Sequence, residues 1–183
     1  MDSLCEIYVA LLRGINVGGN NKIDMKQLKK LFEDGGLMEV KTYLNSGNVI
    51  FSFRKTKEEI LAKKLEKLIR EKFGFDIAVL VVNRKNFLKV AAKIPPEAQN
   101  DSEQRCDVFF FWPEVNFAQL MMTIGKLAET EQLIDAGRAA IWMTDRVHYS
   151  QSKVPKITGS ALYRRLTIRN CNTVRKLEAM LAP

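Results

Sequence analysis

Along the chain the apolar residues change their period from two to about 3.6 and back, and each change marks an element. Glu6 to Leu12 is apolar on both faces, the pattern of a central strand. Asp24 precedes Met25, Leu28, Leu31 and Phe32 at helical spacing, with Lys26, Lys29 and Lys30 on the wet side and Gly35-Gly36 as a left-handed stop. Val40 to Leu44 and Val49 to Phe53 predict two strands joined by a tight turn at Asn45-Ser46-Gly47-Asn48, in which Gly47 supplies a positive φ. Thr56 is the expected cap of a long helix whose dry stripe is Ile60, Leu61, Leu65, Leu68, Ile69 and Phe73, closed by Gly74, and Ile77 to Val82 is a fourth strand.

That order is βαββαβ, the ferredoxin-like split arrangement. The second half repeats it less regularly. A short helix around Phe87, Leu88 and Ala91 and a polar connector from Pro95-Pro96 to Arg105 lead to a buried strand at Val108 to Trp112. A helix at Phe117 to Ile124 follows, then a hairpin of Glu129 to Ile134 with Ala139 to Met143 turned at Ala136-Gly137-Arg138. Lys156 to Leu166 reads as a weak helix broken by Thr158-Gly159-Ser160, and Leu166 to Ile168 as at most a stub of strand before the last helix. The expected fold class is α+β, with two ferredoxin-like halves packed together: 1–83, a helix and connector over 84–105, and 106–183 with a basic C-terminal helix.

Composition bounds this picture. A chain of 183 residues with 46% hydrophobic content buries a core as one large domain or two small ones. No apolar run approaches the ~20 residues that span a bilayer, and the N-terminal apolar stretch is too short and wrongly flanked for a signal peptide, so a cytoplasmic protein without membrane partners is expected. Cys5, Cys106 and Cys171 form no CxxC pair, which fits reduced thiols better than a disulfide framework or a zinc site. The formal charge of +8 is uneven. From Arg146 to Pro183 eight basic residues face the single acid Glu178, whereas between Pro95 and Asp145 nine acids face Arg105, Lys126 and Arg138. The basic third invites an anionic partner, or matches the acidic stretch within the molecule.

Two polar, punctuated segments stand out. One is Arg13-Gly14-Ile15-Asn16-Val17-Gly18-Gly19-Asn20 after the first strand; the other is Thr167-Ile168-Arg169-Asn170-Cys171-Asn172-Thr173 before the last helix. The run from Tyr8 to Lys22, with Met25, Leu28 and Thr42 to Val49, closely resembles the opening of a bacterial family known as domain of unknown function 1697. Tyr149-Ser150, Ser152-Lys153 and Thr167 to Asn170 with Thr173 and Leu177 are similar to its closing signature. Cys171 departs from the larger, often aromatic residue that follows the Arg-Asn pair in relatives. The resemblance implies a cytoplasmic α+β protein with no assigned reaction.

The residues themselves supply little catalytic chemistry. His148 is the single histidine, which excludes multi-histidine metal sites, and beside Tyr149 it reads as a surface or hinge residue. Glu58 and Glu59 sit in a helix's first turn, where they complement the macrodipole and point apart. Cys171 lacks an evident base and reads as a small buried residue. The loop glycines at 14, 18 and 19 fit neither GxxxxGK[ST] nor GxGxxG. Val49, Phe51 and Phe53 alternate onto one face, yet no basic-Gly-aromatic run accompanies them, so they read as core rather than an RNA platform. Arg13, Asn16, Gly18, Gly19, Asn48, Lys153, Arg169 and Asn170 are therefore the candidate ligand residues of one basic cleft, with no catalytic residue, metal or cofactor assigned. Two readings follow. One is a binding or adaptor module for a phosphorylated small molecule or nucleic acid; the other is an enzyme that clamps a phosphorylated or carboxylated small substrate with Arg13, Lys153 and Arg169 near Ser46, Tyr149 or Ser152.

Overall fold

A computed structural model describes the chain over residues 5–19 and 21–182. Asn20, part of the opening motif, lies outside the described residues. The chain divides into two compact units, Met1–Phe87 and Leu88–Pro183.

The first unit runs β1 (Cys5–Leu12), α1 (Met25–Asp34), β2 (Met38–Tyr43), β3 (Asn48–Arg54), α2 (Glu58–Phe73) and β4 (Val79–Asn83). Its sheet has the order β2-β3-β1-β4 with every pairing antiparallel, and β1 lies inside it as its double-sided apolar pattern predicts. Tyr8, Ala10 and Leu12 of β1, Val49 and Phe51 of β3, and Val79 and Val81 of β4 close over Leu28 and Phe32 of α1 and Leu61, Leu65 and Ile69 of α2. The Tyr8 and Phe51 rings stack at 5.7 Å, and Phe53 packs against the same cluster, so these aromatics are core.

Asp24 caps α1 as expected, its Oδ1 accepting from the N–H groups of Lys26 and Gln27. Thr56 does not cap α2. The N-cap is Lys57, which makes no side-chain bond, while the Thr56 hydroxyl donates back to the Arg54 carbonyl and its N–H donates to the Tyr8 hydroxyl at 3.0 Å. A buried tyrosine thus takes over the anchoring that the capping pattern assigned to Thr56. Glu58 belongs to this framework: it accepts from Asn83 N at 2.7 Å, and Glu66 accepts from Val79 N at 2.9 Å, so α2 pins both ends of edge strand β4.

Helix α3 (Arg84–Ala91) crosses the division. The second unit continues with β5 (Gln104–Phe111), α4 (Phe117–Ile124), β6 (Glu131–Asp135), β7 (Ala139–Asp145), β8 (Leu166–Asn170) and α5 (Cys171–Leu181). Its sheet is β6-β7-β5-β8, again wholly antiparallel and in the same order as the first. Phe109, Phe111, Trp142, Leu120, Ile124, Val154, Ile157 and Leu166 form its own buried cluster.

Two expectations fail here. The weak helix over Lys156 to Leu166 is instead part of a series of 3₁₀ turns at Arg146–Gln151, Val154–Gly159 and Leu162–Arg165. Serines cause this: Ser152 Oγ accepts from Val154 N, and Ser160 Oγ donates to Ile157 O and accepts from Tyr163 N, local bonds that compete with a regular helix. The supposed stub is a five-residue strand paired with β5 from Phe111↔Leu166 to Asp107↔Asn170. Its polar Thr167 and Arg169 mask it as a loop, yet both are buried. Among the described residues, no helix is long and apolar enough to cross a membrane.

Candidate ligand-binding site

At the C-terminal end of β1 the chain leaves the sheet and enters a loop whose backbone is unusual. Gly14, Asn16, Gly18, Gly19 and Asn21 all have φ between 48° and 81°, in the left-handed region. A Cβ at Gly14, Gly18 or Gly19 would meet nothing within 4 Å, so φ, not crowding, requires glycine there. Side-chain amides hold this conformation. Asn16 Nδ2 donates to the carbonyls of Ile23 (2.9 Å) and Asn45 (2.8 Å), and its Oδ1 accepts from Ile23 N (2.9 Å). Asn21 Nδ2 donates to Gly14 O at 3.0 Å.

The loop rests on the β2–β3 connection, a four-residue turn over Leu44–Gly47 in which Leu44 has φ 57° and Gly47 φ 78°. Leu12 N donates to Gly47 O at 2.8 Å, and Arg13 N to Ala78 O at 3.0 Å. Asn48, fully buried, donates from Nδ2 to Tyr43 O and Ser46 Oγ. A Cβ at Gly47 would lie 2.6 Å from Leu12 Cβ and 2.9 Å from Ile15 Cδ1, so the turn and the loop meet without space for a methyl group. Arg13 is half-buried at the start of the loop, while Val17, Gly18 and Gly19 face solvent.

Beside the loop lies a cleft of about 600 Å³ lined by Asn16, Gly19, Lys22, Asn45, Gln27 and Phe73 among others, with Ile23 and Met25 as apolar walls. Asp24 also lines it, but its carboxylate oxygen faces the first-turn N–H groups of α1, which partly neutralise it. Lys22 is the exposed cation of this lining. Of the residues singled out in the sequence, Asn16 and Gly19 line the cleft, Arg13 and Gly18 lie on the same loop, and Asn48 is buried in the adjoining strand. Lys22, Gln27 and Phe73 were not among them: Phe73 carried only the signal of a core stripe, and Lys22 only that of a residue following a Gly-rich run.

The second unit holds Lys153, Arg169 and Asn170. Lys153 is exposed. Arg169 lies in β8 rather than in a loop, is 7% exposed, and donates from Nη1 to Thr167 Oγ1 (3.0 Å) and Ile168 O (2.8 Å). Burial pushes its pKa down to about 10. Asn170 is the N-cap of α5, accepting from Thr173 N at 2.8 Å. Ser152 is buried, and its hydroxyl donates to Glu131. That carboxylate also accepts from Trp142 Nε1 (3.0 Å) and Ala128 N (3.0 Å), so it ties the β6–β7 hairpin to the 3₁₀ segment. The Arg105 guanidinium covers the Tyr149 ring at 4.5 Å.

Part of the basic terminal third is engaged inside the unit. Arg165 pairs with Glu114 at 2.8 Å, Arg175 donates to the carbonyls of Pro95, Pro96 and Ala98, and Arg146 bonds Asp101 O. Among the described residues, no group of three or more His, Cys, Asp or Glu side chains is arranged to hold a metal.

Two antiparallel four-stranded sheets of identical order, one ending in a rigid polar loop beside a cleft, define a two-unit α+β protein. The chain belongs to the family described as Protein of unknown function (DUF1697), whose model matches residues 6–142. The closing motifs lie beyond that match. The structure is similar to that of the conserved bacterial protein SP0830 from Streptococcus pneumoniae, with 28% identity, a TM-score of 0.80, and coverage of 97% of this chain and 99% of that one. No curated protein matches the chain.

Proposed function

We propose that the protein is a cytoplasmic binding module for a small anionic ligand, phosphorylated or carboxylated, seated on the loop over residues 13–19 and in the cleft beside it, and that the two units are ferredoxin-like halves, the second less regular, with 3₁₀ turns where the first has α2. One observation carries the reading: a loop with four positive-φ residues, Gly14, Asn16, Gly18 and Gly19, and a fifth just after it at Asn21, fastened by the amides of Asn16 and Asn21. Asn16 and Asn21 are the non-glycine residues among them, and backbone held in regions sparsely populated for such residues clusters at ligand sites, where preorganisation lowers the entropy lost on binding. A cleft of about 600 Å³ falls in the range for small-molecule sites. Arg13 and Lys22 supply positive charge, Gly18 and Gly19 an accessible backbone, and Asn16 and Asn48 hold the geometry from behind. In the second unit, Lys153 is exposed, whereas Arg169 and Asn170 serve their own strand and helix.

The enzyme alternative gains no support from Ser152, whose hydroxyl meets a carboxylate, because that pair is buried and Glu131 also accepts from Trp142 Nε1 and Ala128 N. A thermal-shift screen of inorganic phosphate, nucleotides, sugar phosphates and oligonucleotides tests the proposal. A ligand that binds only the folded state raises Tm. The expected result is stabilisation by a phosphate-bearing small molecule, with Arg13→Ala and Lys22→Ala each weakening its binding by about 1.5–3 kcal/mol, the range for charge-assisted bonds. Stabilisation that neither variant alters would place the ligand elsewhere.

A further inference from the structure

We propose that Cys106 and Cys171 are a modification site: a buried thiol pair that peroxide converts to a disulfide, locking the start of α5 onto β5. Strands β5 and β8 are paired as far as Asp107↔Asn170, and the next residue beyond that pair is Cys106 on one side and Cys171, the first residue of α5, on the other, so the register continued by one step brings the two together. Residues facing each other in such a register have Cα atoms about 4.5–5.5 Å apart. That lies within the roughly 4.4–6.8 Å span of disulfides. Both residues are fully buried, whereas Cys5 is exposed.

The two sulfurs are not equivalent: the Cys171 thiol also donates to Asn172 Oδ1 at 3.5 Å and to Ala98 O at 4.0 Å. Cys171 is lowered to about 7, first by the bond from Cys106 and also by the nearby Arg175 guanidinium and the Asn172 backbone N–H. Cys106 is pushed up by the same contact and by burial. Arg175 is held in place by the carbonyls of Pro95, Pro96 and Ala98. Cys171 opens α5 with Arg175 one turn further along the same face, a setting that favours a thiolate, so Cys171 is the nucleophile and Cys106 the resolving thiol.

The chemistry balances with one hydrogen peroxide. The Cys171 thiolate attacks the peroxide O–O bond, an S–O bond forms, and hydroxide leaves, taking up the proton that Cys171 released as water. Cys106 sulfur then attacks Cys171 sulfur; the S–S bond forms, the S–O bond breaks, and a second water carries off the Cys106 proton. Burial restricts the oxidant to a molecule of peroxide's size. In a reducing compartment such a pair rests as dithiol and closes transiently.

The test uses full-length Cys5→Ser protein, treated with hydrogen peroxide, denatured, alkylated and weighed. The expected outcome is loss of both alkylation sites, loss of two hydrogens, and a linked Cys106–Cys171 peptide. Retention of both thiols, or oxygen added to Cys171 without linkage, overturns the proposal. Hydrogen exchange on the same samples is expected to slow at the first turn of α5 after oxidation, and unchanged exchange overturns the lock. In Cys106→Ser, Cys5→Ser protein, the lone Cys171 should yield a dimedone adduct under peroxide. If that variant fails to fold, the peptide map of the Cys5→Ser protein decides alone.

Discussion

Gly47 and Asn16 show how single residues shape this site through different physics. At Gly47 a methyl group meets both a backbone at φ 78° and the Leu12 Cβ at 2.6 Å. Gly47→Ala is therefore expected to destabilise by about 2 kcal/mol or more, the sum of left-handed strain and overpacking, as measured by denaturant unfolding. Any ligand affinity should survive in the folded fraction, because Gly47 lies beneath the loop and not on its face. Asn16 acts through bonds. Asn16→Ala removes three hydrogen bonds and leaves backbone groups of Ile23 and Asn45 without those partners, so a loss of about 1–3 kcal/mol is expected by the same measurement. Unlike Gly47→Ala, it should also weaken ligand binding, since it releases the loop's conformation.

Elements meet these residues as supports. Strand β4 is an edge strand, and α2 fastens it through Glu66 at Val79 and Glu58 at Asn83. Glu66→Ala is expected to raise hydrogen exchange at Val79 while leaving β1 protected, which heteronuclear NMR can read residue by residue. The connector before β5 carries a different device. Asp101 Oδ1 accepts from Gln104 N and Glu103 N at 2.8 Å each, and those bonds hold its carboxyl below the ordinary value of 3.8. A depressed folded-state pKa means the contribution is present above the unfolded value and is lost as pH falls through the lowered one. The Glu103 and Gln104 amides should stay protected as the pH falls past 3.8 and open only as it falls through the lower folded-state value, seen in an NMR pH titration.

For the whole molecule, each unit has its own sheet and its own buried cluster. Leu65→Ala, at a fully buried position in the first cluster, is expected to cost about 2–5 kcal/mol. Amide exchange should show that loss chiefly within the first unit, with β5, β7 and β8 less affected. The opposed charge blocks of the sequence both fall in the second unit, where Arg165–Glu114 and the Arg175 bonds to connector carbonyls use part of the basic surplus.

The order and type of elements in the first unit were legible in the sequence because its periodicities are local and unmixed. Asp24 before an amphipathic run, a double-sided apolar β1, and Gly47 between two apolar stretches each have one physical solution at short range. The second unit was less legible from Lys156 onward, since β8 buries Thr167 and Arg169 and the 3₁₀ series follows serine-to-backbone bonds. In the candidate site, Arg13 and the loop glycines declared themselves by residue type. Lys22, Gln27 and Phe73 came together only through folding, as did Cys106 and Cys171, 65 positions apart. Sequence pattern determined where the chain turns and which faces are dry, since those depend on neighbouring residues. Which polar groups share a cleft, which cation is buried, and which thiols touch depend on strand order and register, and those were decided by the packed sheets.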